Sequence, residues 1–340
     1  MSKNISLERI NYLGELAIWF IFIIPVFAYS LYSWIFTADH TDTLTRYNMR
    51  IDAQGVCTVP QHIVRIENGC FKNRKDLKKI VFTGASPELI GEEAFAGSGL
   101  ESIEIPRPTK VIEKGLFEDC ESLVSVNIPG SLLGIRDNAF RNCRSLEEIR
   151  LPETVIFIDK WAFSSCYALK SVNIPKSAEQ IGDHAFWHCR SLEALSLPDS
   201  VAKIEPGVFS YCKSLKEIRL PAALEEIGEE AFVGCEAVTD FNLPDSVKFI
   251  GDKAFEDCLA LKEVRMPASL MSLGNLVFCD CFSLQSATLP DGTERIGAQA
   301  FCDRNPESRE PVQYADGHIT VYYSGKASGS PWGAKKHVRR

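Results

Sequence analysis

A period of 23 residues governs what this chain can fold into. Prolines recur at that spacing nine times: Pro106, Pro129, Pro152, Pro175, Pro198, Pro221, Pro244, Pro267 and Pro290. Eleven residues after each comes a phenylalanine, giving the column Phe117, Phe140, Phe163, Phe186, Phe209, Phe232, Phe255, Phe278 and Phe301. Two earlier copies, ending at Phe71 and Phe95, keep the phenylalanine without the strict spacing. A unit this short cannot bury its own apolar face, so neighbours must stack into one continuous core. The repetition predicts a solenoid, one elongated domain where length alone would suggest two globular ones.

Each unit can be read piece by piece. Leu192-Glu-Ala-Leu-Ser-Leu-Pro198 alternates apolar and polar residues before the proline, which predicts one short strand per coil. Proline ends that strand because it lacks an N–H and fixes its own φ. A second inward pair follows, such as Val201 and Ile204. Gly182, Gly228, Gly251, Gly274 and Gly297 are expected to turn the chain at positive φ. Ala-Phe-x-x-Cys then reads as a single helical turn with one buried side. That places Phe140, Phe163, Phe186, Phe209, Phe232 and Phe255, with Cys143, Cys166, Cys189 and Cys212, in a core ladder. Eleven coils at strand spacing would extend about 50 Å.

The repeated phrase Ile-Pro-x-x-Val-x-x-Ile-Gly-x-x-Ala-Phe-x-x-Cys-x-x-Leu resembles the BspA-type leucine-rich repeat of bacterial and protozoan surface proteins. The resemblance implies a gently curved, parallel-stranded solenoid that binds other macromolecules, and it does not identify them. The expected divisions are an apolar anchor or signal segment over 1–36, a stalk and N-terminal cap over 37–60, the repeats over 61–303, and a closing strand with a basic tail over 304–340.

Leu16 to Phe36 is twenty-one residues without a charge, long enough to cross a bilayer as a helix. Trp19, Tyr29, Tyr32 and Trp34 lie toward its ends, where such rings favour the interface. A cleaved signal peptide ending near Ala28 and a buried cap helix are the competing readings; the apolar run past Ala28 favours a retained anchor. Lys3 and Arg9 before the span balance Arg46 and Arg50 after it, so charge does not set orientation.

Eight cysteines, Cys120 to Cys281, share the 23-residue column and read as core thiols. Cys279 with Cys302, and Cys57 with Cys70, are candidate bridged pairs. A mostly reduced chain suits a reducing compartment better than an oxidising one. His184 and His188 lie beside Cys189 at helical spacing, but the cysteine belongs to the core column, so they read as surface histidines rather than a metal site.

The outward strand positions carry Glu148 with Arg150, Glu217 with Arg219 and Glu263 with Arg265, expected to neutralise each other within a coil, and they include no ring from Ser102 to Thr288. Trp161, Tyr167, Trp187 and Tyr211 fall instead on the opposite side, over three successive coils, as a candidate partner-binding patch. Phe157 and Phe249 occupy another normally polar position. A net charge of −8 argues against nucleic acid, and no catalytic or phosphate-cradling motif is present. The sequence predicts a non-catalytic scaffold with no cofactor and no metal. Residues 16–36 anchor it in the cell membrane, and the repeats outside meet a protein, matrix or cell-surface ligand. A membrane-tethered intracellular assembly module and a cleaved secreted effector are the alternatives.

Overall fold

The computed structural model describes residues 42–84, 87–304, 314–315, 318–323, 332 and 336–339. The apolar run over 16–36 lies outside them. Among the described residues no helix is long and apolar enough to cross a membrane.

Three ladders, each with a different backbone, hold the coils together. The first is made of the strands before each proline, such as Glu148–Arg150, which pairs in parallel with Ser171–Asn173 one period on. Their central residues point inward and the flanking ones out, as the alternation requires. Val56–Val59 opens this ladder against Lys79–Phe82, while Thr320–Tyr323 closes it against Ser286–Thr288 and itself pairs with Lys336–Arg339. A second ladder consists of two-residue strands, from Val111–Ile112 to Arg295–Ile296, again in register at one period. Thr43–Leu44, in the stretch expected as a stalk, pairs in parallel with Arg65–Ile66, which pairs in turn with Leu89–Ile90.

The third side corrects the sequence reading. Ala-Phe-x-x-Cys forms no helical turn; the described residues contain no α-helix. Instead the chain makes consecutive tight turns. Alternate N–H groups close them within the coil, as Cys143 does on Phe140, and the others reach forward. Phe140 donates to the Ala162 carbonyl, Phe163 to Ala185 and Phe186 to Val208. The residues two before and two after each spine phenylalanine donate forward as well, Asn138 to Lys160 and Asn142 to Ser164. Aiming successive peptides both ways requires left-handed residues at those two positions. They are Gly115, Asn138, Gly207 and Glu230 in one column, and Asp119, Asn142, Gly234 and Asp257 in the other, all with φ near +60°.

Inside, the phenylalanines stack one per coil at centroid separations between 5.1 and 5.8 Å, fully buried. Each column cysteine donates its S–H to the phenylalanine carbonyl of the preceding coil, Cys143 to Phe117 at 3.1 Å and Cys189 to Phe163 at 3.2 Å. That carbonyl already accepts one turn N–H, so the thiol occupies its second lone pair. A small, weakly polar side chain is what this site needs.

The glycines after the second strand serve packing rather than handedness. None of Gly182, Gly228, Gly251, Gly274 or Gly297 has positive φ. A methyl carbon at Gly182 would stand 2.7 Å from the Lys160 amide nitrogen, and one at Gly251 would stand 2.6 Å from that of Glu229. The coils approach closely at those glycines, while other coils carry Arg136, Asp159 and Glu205 in the same column.

Candidate functional site

The turn side carries the candidate site. Trp161 stands two before its spine phenylalanine, at φ 59°, in a left-handed column that other coils fill with residues as varied as Gly115, Asn138, Glu230, Lys253 and Leu276. His184 is its counterpart one coil on, also left-handed at φ 57°. The rings stack at 4.1 Å and 8°, and Gly207, next in the column, leaves room for the His184 ring. The second left-handed column repeats the device. His188 at φ 58° stacks on Tyr211 at φ 59°, 4.6 Å apart, and Tyr211 lies over Gly234. Trp187 joins the two stacks edge-on, 5.7 Å from Trp161 and 6.3 Å from Tyr211.

Tyr167 completes the group between two guanidinium groups. Arg144 of the coil before lies 5.5 Å from its centroid and Arg190 of the coil after lies 4.6 Å away. Arg144 is paired with Glu121, whereas Arg190 has no carboxylate partner among the described residues and approaches His188 Nδ1 at 3.3 Å. Burial among the rings, then the charges of Arg190 and Lys213, push the His188 pKa down to about 4. Burial lowers His184 as well. Both imidazoles are therefore neutral at neutral pH. All six ring residues are half-buried. The stacked faces are used within the cluster, and the exposed Arg190 beside it makes no ion pair among the described residues.

The strand side holds no comparable assembly. Arg150 and Arg219 make no ion pair among the described residues, nor do Glu148, Glu217 and Glu263; Arg265 reaches Asp245 at 3.2 Å instead. The expected neutralisation within each coil does not occur. Two residues apart on a strand is about 6.6 Å, whereas the same position on the next coil is about 4.8 Å away. Ion pairs accordingly run along the solenoid at a spacing of 23, as in Lys160–Asp183, Lys170–Glu147 and Lys253–Glu230. Among the described residues no group of three or more His, Cys, Asp and Glu is placed to hold a metal ion.

Residues 55–170, 88–216, 133–261 and 179–307 each match the family described as the BspA type leucine rich repeat region, in six copies. The chain belongs to the BspA-type leucine-rich repeat family. The pneumococcal vaccine antigen PcpA shares this BspA-type chain's fold at 22% identity and a TM-score of 0.53, covering 86% of this chain and 82% of its own. A leucine-rich repeat protein of Bacteroides ovatus is 25% identical at a TM-score of 0.42, over 70% of this chain and 81% of its own. A leucine rich cell surface protein of Faecalibacterium prausnitzii is 23% identical at 0.43, over 68% and 77%. No curated protein matches.

Within this BspA-type solenoid the structure brings Trp161, Tyr167, Trp187 and Tyr211 together and adds members the sequence reading left out. His184 and His188 belong to the cluster, as do Arg144 and Arg190. The signal was present in the register: 161 with 184, 188 with 211, and 144 with 167 and 190 are each one period apart. Phe157 belongs to a separate contact, its ring lying over Gly134 with Arg136 4.7 Å from its centroid, and Phe249 is exposed.

Proposed function

We propose that this protein is a non-catalytic protein-binding scaffold held at the cell surface by its N-terminal apolar segment, and that Trp161, Tyr167, Trp187 and Tyr211 form its partner contact. One observation carries the contact. Bulky rings occupy left-handed positions in consecutive coils, although glycine, asparagine or aspartate would fit there without conformational cost. Such a cost, kept on a half-exposed surface with an unmatched arginine, fits selection for recognition rather than for folding. Family membership supports the scaffold, and the resemblance to surface proteins supports the location.

The contact is tested with Trp161→Asn plus Tyr211→Gly, which restores residues suited to the left-handed positions. Proteins cross-linked to the wild-type solenoid on intact cells should disappear together in the variant; cross-links that persist unchanged overturn the contact. Protease shaving of intact cells tests the location. Repeat peptides released before lysis support the surface reading, and intact repeats in the medium mean a cleaved signal. Complete protection supports a second reading, a membrane-tethered intracellular assembly module, which the twelve free cysteines favour.

A further inference from the structure

Four cysteines lie off the column, Cys57 and Cys70 near the first coils and Cys279 and Cys302 near the last. Every column thiol donates to a phenylalanine carbonyl, including Cys258 to Phe232 and Cys281 to Phe255 in the coils nearest the C-terminal end. Cys279 and Cys302 do not. Each directly follows a spine phenylalanine, Phe278 and Phe301, at a position filled elsewhere by residues as varied as Arg141, Trp187 and Val233. Both are fully buried, and their sulfurs are 2.8 Å apart with no carbonyl partner for either among the described residues. The backbones are tied at the same place, Asp280 N–H donating to the Cys302 carbonyl at 3.0 Å. A ladder spacing of about 4.8 Å lies within the roughly 4.4–6.8 Å between α-carbons that a disulfide requires.

Their location gives the pair a purpose. Cys302 sits in the final 23-residue coil, whose Phe301 N–H donates to the Trp332 carbonyl of the cap. An end coil is held by fewer repeat neighbours than a central one, so a solenoid opens from such ends. We propose that Cys279 and Cys302 are an oxidisable pair whose disulfide locks the last repeat coil to the one before it. The oxidant is a disulfide, either a small one or that of a dithiol oxidoreductase. One cysteine thiolate attacks it and forms a mixed disulfide, releasing one thiol. The second cysteine then displaces the other thiol. Two protons and two electrons leave the pair, and the oxidant becomes two thiols. The contact with Cys302 and burial hold the Cys279 thiol well above its ordinary range, so exchange requires the end coil to open, and closure then encloses the bond. The proposal is independent of the ring cluster.

The full chain, purified reduced in detergent, is equilibrated with oxidised glutathione, quenched in acid, unfolded and alkylated. Ten of the twelve thiols should react, and a non-reducing peptide map should join Cys279 to Cys302. Amide exchange over 278–302 should slow on the order of a hundredfold relative to the reduced protein. Cys279→Ser with Cys302→Ser should remove both effects; if that variant fails to fold, the wild-type comparison decides alone. Twelve reactive thiols, a link to Cys258 or Cys281 instead, or a correct link with unchanged exchange overturns the proposal.

Discussion

On the strand side, each coil from Ser102 to Thr288 offers two outward positions in extended backbone, a state that aromatic residues favour, and the chain places no ring there. On the turn side, the outward positions flanking the spine phenylalanine are left-handed, a state that bulky residues resist, and there it places Trp161, His184, His188 and Tyr211. Local preference predicts the opposite distribution. A residue chosen against its own backbone preference has to be held by something else, and in the column of His188 and Tyr211 the coils with Asp119, Asn142, Gly234 and Asp257 show what the unconstrained choice would be. The two sides thus separate residues that serve the frame from residues that burden it.

The largest effect erases the comparison by removing the spine both sides share. Phe209→Ala takes a fully buried ring from between Phe186 and Phe232 and should cost roughly 3–5 kcal/mol in denaturant unfolding. Because coupling passes between neighbours, unfolding should split into two phases, one for each half of the array. Gly234→Ala comes next and touches the turn side alone. At φ +67° its methyl carbon would stand 2.7 Å from the Tyr211 ring, so a loss of about 1–2 kcal/mol is expected, with Tyr211 displaced and its fluorescence altered.

How much of this was legible in the sequence follows from what each position does. The spine, the strand ladder and the cysteine column were readable because buried, identical environments select the same residue at every period. The turn was misread because Ala, Phe and Cys at spacings of one and three suit a helical turn as well as they suit consecutive tight turns. The distinguishing signal lay two residues to either side, in Gly115, Asn138 and Gly207 and in Asp119, Asn142 and Gly234. The glycines after the second strand were assigned the wrong cause, since close approach and positive φ call for the same residue. Charge pairing was sought within a strand, when the nearer neighbour lies a full period away. The ring cluster is half legible: the rings stand out, whereas His184 and His188 read as surface residues until the 23-residue register sets them against Trp161 and Tyr211.

Acid should sharpen the contrast, because the histidines lie on the turn side. His184 and His188 are held below their ordinary pKa, so the folded state binds fewer protons than the unfolded one. Their contribution is complete above the unfolded value of about 6.5 and is lost as the pH falls toward the folded His188 value of about 4. The denaturant midpoint should fall over that window. His188→Asn, which suits the left-handed position, should flatten the slope, and an unchanged slope would count against a buried neutral imidazole.

The smallest effects are the most discriminating. Trp161→Asn with Tyr211→Gly relieves two left-handed costs while losing two ring contacts, so stability should stay within about 1 kcal/mol of wild type. A much larger loss would mean that the rings support the fold, and the binding reading would lose its basis. Arg219→Ala is the strand-side counterpart. This arginine is exposed, makes no ion pair among the described residues and leaves no buried partner behind, so unfolding should shift by less than about 0.5 kcal/mol. The same variant should leave capture through the turn side untouched. If Arg219→Ala removed capture while the ring variant retained it, the contact would belong to the strand face. The rings would then be explained by packing between coils alone.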